Sequence, residues 1–287
     1  MSGRAKKASA PRKKANGYKM PAPIPLGEVI HDTIAKKKWR IGPSIGVGGF
    51  GEIYSACEHE GSPKKGANYP YVVKINSSFN PDTISLLKKM LEWPKEILFP
   101  VLDVTRLAIR RKDINGQIFD TTYGPNFVKY LLSLLNPDNL AANQMLAMRV
   151  LVNAFSDLAG EMLVLAARES LVHCIICLTH LNNNAQIAAA SLLLNLSVAL
   201  AQQPDIAELV DCILHLLNRL TDNEAYFRGL VALGTLLAES PQKLPIQTKI
   251  VSNTQLHNRL KKDCNNSTSD ANLKKISMCS QEIIKLL

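Results

Sequence analysis

Three segments in the second half of the chain resemble one another at a spacing of about 40 residues. Aligning NQMLAMRVLVNAF, NAQIAAASLLLNLSV and EAYFRGLVALGTL puts Asn143 opposite Asn184 and Asn153 opposite Asn195, and it puts Asn195 opposite Gly234. Within each segment, apolar residues recur at the 3.6-residue period of a helix. A repeating helical unit of this length is typical of an armadillo- or HEAT-like solenoid, in which neighbouring units bury each other's apolar faces.

The same helical period extends over most of the chain. From Asp82 onwards, apolar residues at helical spacing predict helices in five further segments: ISLLKKMLEW, ILFPVLDVTRLAIRR, NFVKYLLSLL, SLVHCIICLTHL and IAELVDCILHLLNRL. Short loops rich in Asn, Asp, Pro and Gly separate them. We therefore expect residues 82–287 to be almost wholly helical, without a strand between residues 140 and 240. The fold class predicted for the whole chain is mainly α.

Four arginines fall on helices of this predicted solenoid. Arg106 and Arg110 are four residues apart and share a helix face, whereas Arg149 and Arg228 belong to later aligned helices. Guanidinium groups form charge-assisted, often bidentate, bonds with carboxylates. We therefore expect these arginines to line a groove that binds a partner's acidic tail. The alternative is that they pair inside the solenoid with acidic neighbours, namely Asp103, Asp222 and Glu224.

Several of these segments also resemble a known family. LEWPKEILFPVLDVTRLAIR, LLSLLNPDNLAANQMLAMRVLVNAF, ARESLVH and FRGLVALGTLLAE are similar to the PUL domain of phospholipase A₂-activating proteins, from about Phe79 to Leu287. The resemblance implies an armadillo-like domain whose basic groove binds the carboxy-terminal tail of valosin-containing protein, an AAA unfoldase. It further implies an adaptor in ubiquitin-dependent degradation and ubiquitin recycling, with ubiquitin-pathway complexes as indirect partners.

A glycine-rich loop precedes the helical part of the chain. The segment IGVGGFGEIYSA contains Gly46, Gly48 and Gly51 in the GxGxxG pattern that lets backbone N–H groups approach phosphate. The stretches on either side, WRIGPSIG and EIYSACEHE, are rich in β-branched and aromatic residues, which favours a hairpin over the strand-to-helix turn of a dinucleotide fold. We therefore expect three short antiparallel strands within residues 38–75.

The surroundings of this loop resemble a second family. YKMPAPIPLGEVIHDTIAKKKWRIGPSIGVGGFGEIYSA, followed by YVVK, is similar to the amino terminus of a vaccinia-related kinase of the casein-kinase-like group, over residues 18–76. In such a kinase the glycines cover the phosphates, two apolar residues cover the adenine and a lysine reaches the α- and β-phosphates. The resemblance thus implies an ATP-binding set: Ile45, Gly46, Gly48, Gly51, Ile53 and Lys74.

The kinase pattern stops after Ile75. Nothing beyond it supplies an HRD-type catalytic loop, an Asn or DFG Asp for metal ions, or an APE segment. We therefore expect no enzymatic activity and no required cofactor. The sequence predicts a truncated kinase lobe at residues 21–76 joined to a PUL domain at residues 79–287, either as a natural fusion or through two coding segments joined in error. An ATP-binding, catalytically inactive kinase-like protein is the alternative function.

The positive charge of the chain is concentrated at its amino terminus. The formal net charge is +10, and residues 1–40 contribute +9 of it. Residues 1–20 are rich in Lys, Ala, Pro and Ser and predict a disordered basic tail that contacts chromatin or nucleic acid, or that only solubilises the protein. No apolar run is long enough to span a membrane, and the amino terminus lacks the apolar central region of a secretory signal. We therefore expect a cytoplasmic and nuclear protein without a membrane partner.

The cysteines and histidines suggest no metal site. The six cysteines are expected to be free thiols, because the cytosol and nucleus are reducing. His173, Cys174, Cys177 and His180 are close in sequence, but structural zinc requires four converging ligands, and one helix turns only part of this set to one side. Core packing is the expected role of this segment.

Overall fold

The protein consists of two compact units, Met1–Phe79 and Asn80–Leu287, termed the strand unit and the helical unit. The basic tail predicted for residues 1–20 lies outside the part of the chain that the structure describes. The computed structural model describes residues 24–32, 36–48, 51–59, 69–75, 81–178, 180–265 and 270–287.

The strand unit is a four-stranded antiparallel sheet whose strands are neighbours in chain order. The hairpin predicted around the glycine-rich loop is confirmed, because the second and third strands flank that loop and pair with each other. The structure contains one strand more than predicted, since the four residues VIHD pair with residues 37–40. The strands are β1 (Val29–Asp32), β2 (Lys37–Gly48), β3 (Gly51–Glu58) and β4 (Tyr71–Ile75).

The sheet buries a small core on one face. Ile41, Tyr54 and Ala56 are at most 2% exposed, and Trp39 and Val73 are among the residues that pack against them. The buried Tyr54 hydroxyl donates to Glu52 Oε2 at 2.6 Å. A hydroxyl in an apolar core costs free energy unless it is hydrogen-bonded, so this bond is what allows a tyrosine at that position.

The helical unit contains thirteen helices and no strand among its described residues, as predicted. Most of them coincide with the segments for which the sequence predicts a helix. The helices α3, α6, α11, α12 and α13 fall outside those segments. The helices are α1 (Pro81–Met90), α2 (Phe99–Ala108), α3 (Lys112–Ile118), α4 (Gly124–Leu134), α5 (Ala141–Ala154), α6 (Leu158–Ala166), α7 (Arg168–Cys177), α8 (Asn183–Leu200), α9 (Ala207–Arg219), α10 (Asn223–Glu239), α11 (Lys243–Ser252), α12 (Thr254–Cys264) and α13 (Ala271–Leu286).

These helices stack in two rows. In the first row, α2 packs on α5, α5 on α8, α8 on α10 and α10 on α13. In the second row, α4 packs on α7, α7 on α9 and α9 on α12. Each first-row helix therefore contacts its counterpart in the next repeat, which is the arrangement of an armadillo-like solenoid.

Leucines and alanines fill the space between the rows. On α8, for example, Leu192, Leu193 and Leu196 are at most 1% exposed, whereas Val198 on the same helix is 64% exposed. Residues three or four apart share a helix face, so this pattern orients the helix within its row. The amino termini of α8 and α10 are capped by Asn182 and Asp222, whose side chains accept from backbone N–H groups.

Two asparagines of the repeat tie adjacent first-row helices together. Asn153 on α5 donates from Nδ2 to the backbone oxygen of Arg106 on α2 at 2.6 Å, and Asn195 on α8 donates to a backbone oxygen of α5 at 3.1 Å. At the next aligned position, a Cβ added to Gly234 would lie 3.7 Å from Cγ1 of Ile283 on α13. The tie therefore joins the first three helices of this row, and direct apolar packing follows at α10.

Candidate functional site

The strands on either side of the glycine-rich loop pair as the sequence predicts. Gly48 pairs with Gly51 across the hairpin, and Gly46 pairs with Ile53. Ile53 in turn pairs with Lys74 on β4. The register of three strands thus brings the backbone positions of the expected ATP-binding set to one part of the sheet.

The apolar members of that set are only partly enclosed. Ile45 on β2 is 59% exposed and Ile53 on β3 is half-buried, while Val72 on β4 is 63% exposed. The side chain of Lys74 lies outside the described atoms. Nucleotide sites in proteins bury most of their ligand between apolar walls. The described side chains form a surface, without a second wall, where an adenine would lie.

The predicted arginines lie on the first row of the helical unit. Arg106 on α2 donates from Nε and Nη2 to one carboxylate oxygen of Asp103, with Nη2 at 2.6 Å. The Arg106 side chain remains 25% exposed and that of Asp103 45% exposed. Arg110 was predicted to share a helix face with Arg106, but α2 ends at Ala108 and Arg110 lies exposed beyond it. The acidic neighbour anticipated for Arg106 is thus present, but the pair is at the surface and not inside the solenoid.

Arg228 on α10 is held by two helices. It donates from Nε and Nη2 to Glu224 at 2.8 Å and from Nη1 to Ser191 Oγ on α8 at 2.6 Å. The side chains of Arg228 and Glu224 are 37% and 38% exposed. Asp222, the other anticipated acidic neighbour, instead caps α10 through Ala225. All three guanidinium nitrogens of Arg228 therefore have partners.

Arg149 on α5 has a different environment. Its Nη2 donates to Oδ1 of Asn184, at the start of α8, at 3.2 Å. Asn184 is exposed and Arg149 is half-buried. Alignment had placed Asn184 opposite Asn143, but Asn143 is fully buried and donates to the backbone oxygen of Lys95. Asn143 is therefore a core residue, whereas Asn184 contacts Arg149 at the surface.

These contacts place the arginines on one surface. Asn153, one turn beyond Arg149, bonds the backbone of Arg106, and both Arg149 and Arg228 bond side chains of α8. Arg106 on α2, Arg149 on α5 and Arg228 on α10 thus lie along the first row, and α8 between the last two contributes their partners Asn184 and Ser191. We call this surface the arginine face. Its polar members are Asp103, Arg106, Arg149, Asn153, Asn184, Ser191, Asn195, Glu224 and Arg228.

The contacts of Asn153, Asn184 and Ser191 with the arginines were not predicted. The recurring asparagines were a usable signal, since they stand 42 residues apart. The contacts of Arg149 and Arg228 with α8 join residues 35 and 37 positions apart, so no local spacing could indicate them.

The second row carries a surface of opposite charge. A groove of about 630 Å³ lies between α7 and α9, and three of its lining residues are acidic, namely Glu169, Glu208 and Asp211. Asp211 is paired with Lys249 of α11. An acidic lining repels a carboxylate-bearing ligand, so this groove is not a second candidate for such a tail.

The cysteine and histidine segment contributes to the wall of this groove. Cys177 Sγ lies 3.7 Å from His173 Nε2, and Cys174 is half-buried. Burial, followed by the nearby Cys177, raises the pKa of the Cys174 thiol, and metal binding requires the thiolate. The described residues contain no group of three or more His, Cys, Asp or Glu arranged to hold a metal ion. All six cysteines are free.

Comparison with known proteins identifies the helical part of the chain. The family model of the PUL domain matches residues 57–282, most of the chain. The chain belongs to the PUL domain family. The match begins within β3 and covers α1 to α12 completely, so the arginine face lies wholly on the PUL domain.

Individual relatives match different parts of the chain. The phospholipase A-2-activating protein of Xenopus laevis is 33% identical over 177 residues, which are 60% of this chain and 22% of the relative. The ubiquitin fusion degradation protein 3 homolog of Caenorhabditis elegans is 32% identical over 142 residues, 48% of this chain and 16% of the relative. Nucleosomal histone kinase 1 of Drosophila melanogaster is 54% identical over 76 residues, 26% of this chain and 12% of the relative.

The chain therefore spans less than a quarter of the length of each of these three relatives. It combines similarity to a PUL-containing protein with similarity to a kinase, as the two resemblances in the sequence predicted. None of the described helices has both the length and the apolar character of a membrane span.

Proposed function

We propose that this chain is a non-enzymatic adaptor of ubiquitin-dependent degradation and that its PUL domain binds the acidic carboxy-terminal tail of valosin-containing protein. Support for the pathway comes from the PUL family match and from a relative named for ubiquitin fusion degradation. The arginine face is the observation that carries the proposed binding. Ubiquitin-pathway complexes are indirect partners, reached through the unfoldase.

The chemistry of the arginine face fits an acidic, extended peptide. Arg106, Arg149 and Arg228 lie on three of the first-row helices, α2, α5 and α10, so a peptide lying across the first row would meet all three guanidinium groups. The asparagine and serine side chains between them are neutral. Guanidinium groups at a partly exposed surface bind carboxylates by charge-assisted hydrogen bonds that are about twice as strong as neutral ones.

The direct test is tail-peptide affinity after the charges are removed. We expect the combined variant Arg106→Gln, Arg149→Gln, Arg228→Gln to lower the affinity for the valosin-containing protein tail peptide by about tenfold or more, since the loss of even one hydrogen bond to a charged group costs about 1.5–3 kcal/mol. Glutamine keeps polar reach and removes charge. The control is Arg168→Gln, which removes an arginine from the second row, where Arg168 pairs with Glu169.

Melting temperature separates binding from folding in this experiment. Partly exposed ion pairs contribute about 0–1 kcal/mol each, so the triple variant should keep its helical fold. Lost affinity in a folded triple variant, with unchanged affinity of the Arg168 control, supports the proposal. Unchanged affinity together with a strongly lowered melting temperature would mean that the arginines are structural and that the tail binds elsewhere.

A second candidate function rests on the register that unites Gly46, Ile53 and Lys74. This is an ATP-binding, catalytically inactive kinase-like protein in which the strand unit holds the nucleotide. It differs from the adaptor in its ligand, so a nucleotide and a tail peptide distinguish the two.

The basic amino-terminal segment adds a further partner to the proposal. Its net charge of +9 over residues 1–40 favours contact with chromatin or nucleic acid, and with it a nuclear as well as a cytoplasmic location. Removing residues 1–20 should abolish retention on DNA at low salt while leaving tail-peptide affinity unchanged. Equal retention of the shortened protein would refute this partner.

A further inference from the structure

The three arginines of the arginine face differ in how fully their charge is already compensated. Arg106 is bonded to the carboxylate of Asp103 at 2.6 Å, and Arg228 to that of Glu224 at 2.8 Å. Arg149 is bonded only to the neutral amide oxygen of Asn184, at the longer distance of 3.2 Å. Among the described residues, no carboxylate oxygen lies within 4.0 Å of the Arg149 guanidinium. Arg149 is the uncompensated charge of the three.

The three arginines also differ, in the same order, in how many guanidinium nitrogens are hydrogen-bonded within the protein. Arg228 uses Nε, Nη1 and Nη2 within the protein, and Arg106 uses Nε and Nη2. Arg149 uses Nη2 alone, so its Nε and Nη1 make no hydrogen bond with the described part of the chain. A planar guanidinium with two unused nitrogens can form a two-point contact with a carboxylate without first breaking a bond.

A ligand carboxylate therefore meets different resistance at each position. At Arg106 or Arg228, the ligand must displace the carboxylate that already pairs with the arginine, or share the arginine with it. The exchange replaces one charge-assisted bond with another. At Arg149 it replaces at most a long bond to a neutral acceptor. Only the difference between the bonds formed and the bonds lost contributes to affinity.

Arg149 is also central on the surface. Its helix, α5, lies between α2 with Arg106 and α8, which Arg228 contacts through Ser191. Asn153, one turn beyond Arg149, is bonded to the backbone of α2, which holds α5 against its neighbour. Residues that dominate binding energy tend to lie at the centre of an interface, surrounded by contacts of smaller effect.

We infer that Arg149 is the anchoring residue for a carboxylate of the bound peptide, and that Asp103 and Glu224 restrain affinity by occupying Arg106 and Arg228. The inference rests on the proposed function, because it concerns the same surface. It also gives the two acidic residues a selective role. A ligand with a single carboxylate gains Arg149 alone, whereas one with several can compete for the outer arginines as well.

The experiment compares single variants with two fluorescently labelled probes, the valosin-containing protein tail peptide and hexaglutamate. We expect Arg149→Gln to weaken binding of either probe by about tenfold or more, the effect of losing one hydrogen bond to a charged group. Arg106→Gln and Arg228→Gln should each weaken it by less than about threefold. The variants Asp103→Asn and Glu224→Gln should each tighten binding by about two- to fivefold, because they release an arginine.

Outcomes of this comparison bear on the anchor and on the partner separately. If Arg106→Gln or Arg228→Gln weakens binding more than Arg149→Gln does, or if the two acid-to-amide variants leave affinity unchanged or lower, the anchor assignment is wrong. If the variants change the affinity for hexaglutamate in the expected order and the unfoldase tail does not bind, the proposed partner is wrong and the assignment of Arg149 as the anchor is supported. If the tail binds but the variants change its affinity in a different order, the proposed partner is supported and the assignment of Arg149 as the anchor is wrong. If neither probe binds the unaltered protein, both fail.

Discussion

The strand unit and the helical unit differ in how completely they enclose their apolar residues. Among the described residues of the strand unit, three form the buried core, while Ile45 and Val72 are about 60% exposed. In the helical unit, the first-row helices pack on one another, and α5, α8, α10 and α13 also pack on helices of the second row. Each strand of the strand unit pairs with its neighbour in chain order, so the sheet depends on local pairing. A solenoid buries its apolar faces between adjacent repeats, so five consecutive first-row helices supply a core of their own.

The largest expected effect lies in the core of the helical unit. Leu196→Ala should lower the free energy of unfolding by about 2–5 kcal/mol, because Leu196 is fully buried on α8 and its truncation leaves a cavity. Val198→Ala, on the same helix but 64% exposed, is the matched control and should change it by less than about 0.5 kcal/mol. Urea unfolding followed by circular dichroism at 222 nm measures both. Equal losses for the two variants would contradict the burial pattern.

A smaller effect should follow from cutting the tie between repeats. Asn195→Ala leaves a backbone oxygen of α5 without the donor that lies 3.1 Å from it, which should cost about 1–3 kcal/mol. Asn183→Ala, an exposed residue at the start of the same helix, is the control and should be close to neutral. If both variants melt like the unaltered protein, the asparagines do not couple the repeats.

Replacing Lys74 in the strand unit is expected to have no effect on phosphate transfer. Purified protein incubated with labelled ATP, magnesium and histone should transfer no more phosphate than the Lys74→Met variant, because no HRD, DFG or APE motif follows residue 75 in the sequence. An active vaccinia-related kinase serves as the positive control. Phosphate transfer that disappears in Lys74→Met would show that the strand unit is catalytic and would reverse the comparison of the two units.

The helical period could be recognised in the sequence because burial between rows leaves a strong local pattern. The pairs Arg106–Asp103 and Arg228–Glu224 were also foreseeable, since they join residues three and four positions apart on one helix. Strand β1 was missed because VIHD has no alternation of its own and depends on pairing with β2. The contacts of Arg149 with Asn184 and of Arg228 with Ser191 depend on how neighbouring helices pack, which one chain's sequence does not reveal.

The central claim is that ligand binding resides in the helical unit and is directed at an acidic tail. Thermal unfolding of the whole chain tests it, with either the valosin-containing protein tail peptide or ATP and magnesium present at about a hundred times the dissociation constant expected for each. Binding to the folded state at that ratio contributes about 2.7 kcal/mol. We predict that the peptide raises the melting temperature of the helical transition and that ATP leaves it unchanged. Stabilisation by ATP, with no response to the peptide, would contradict the account.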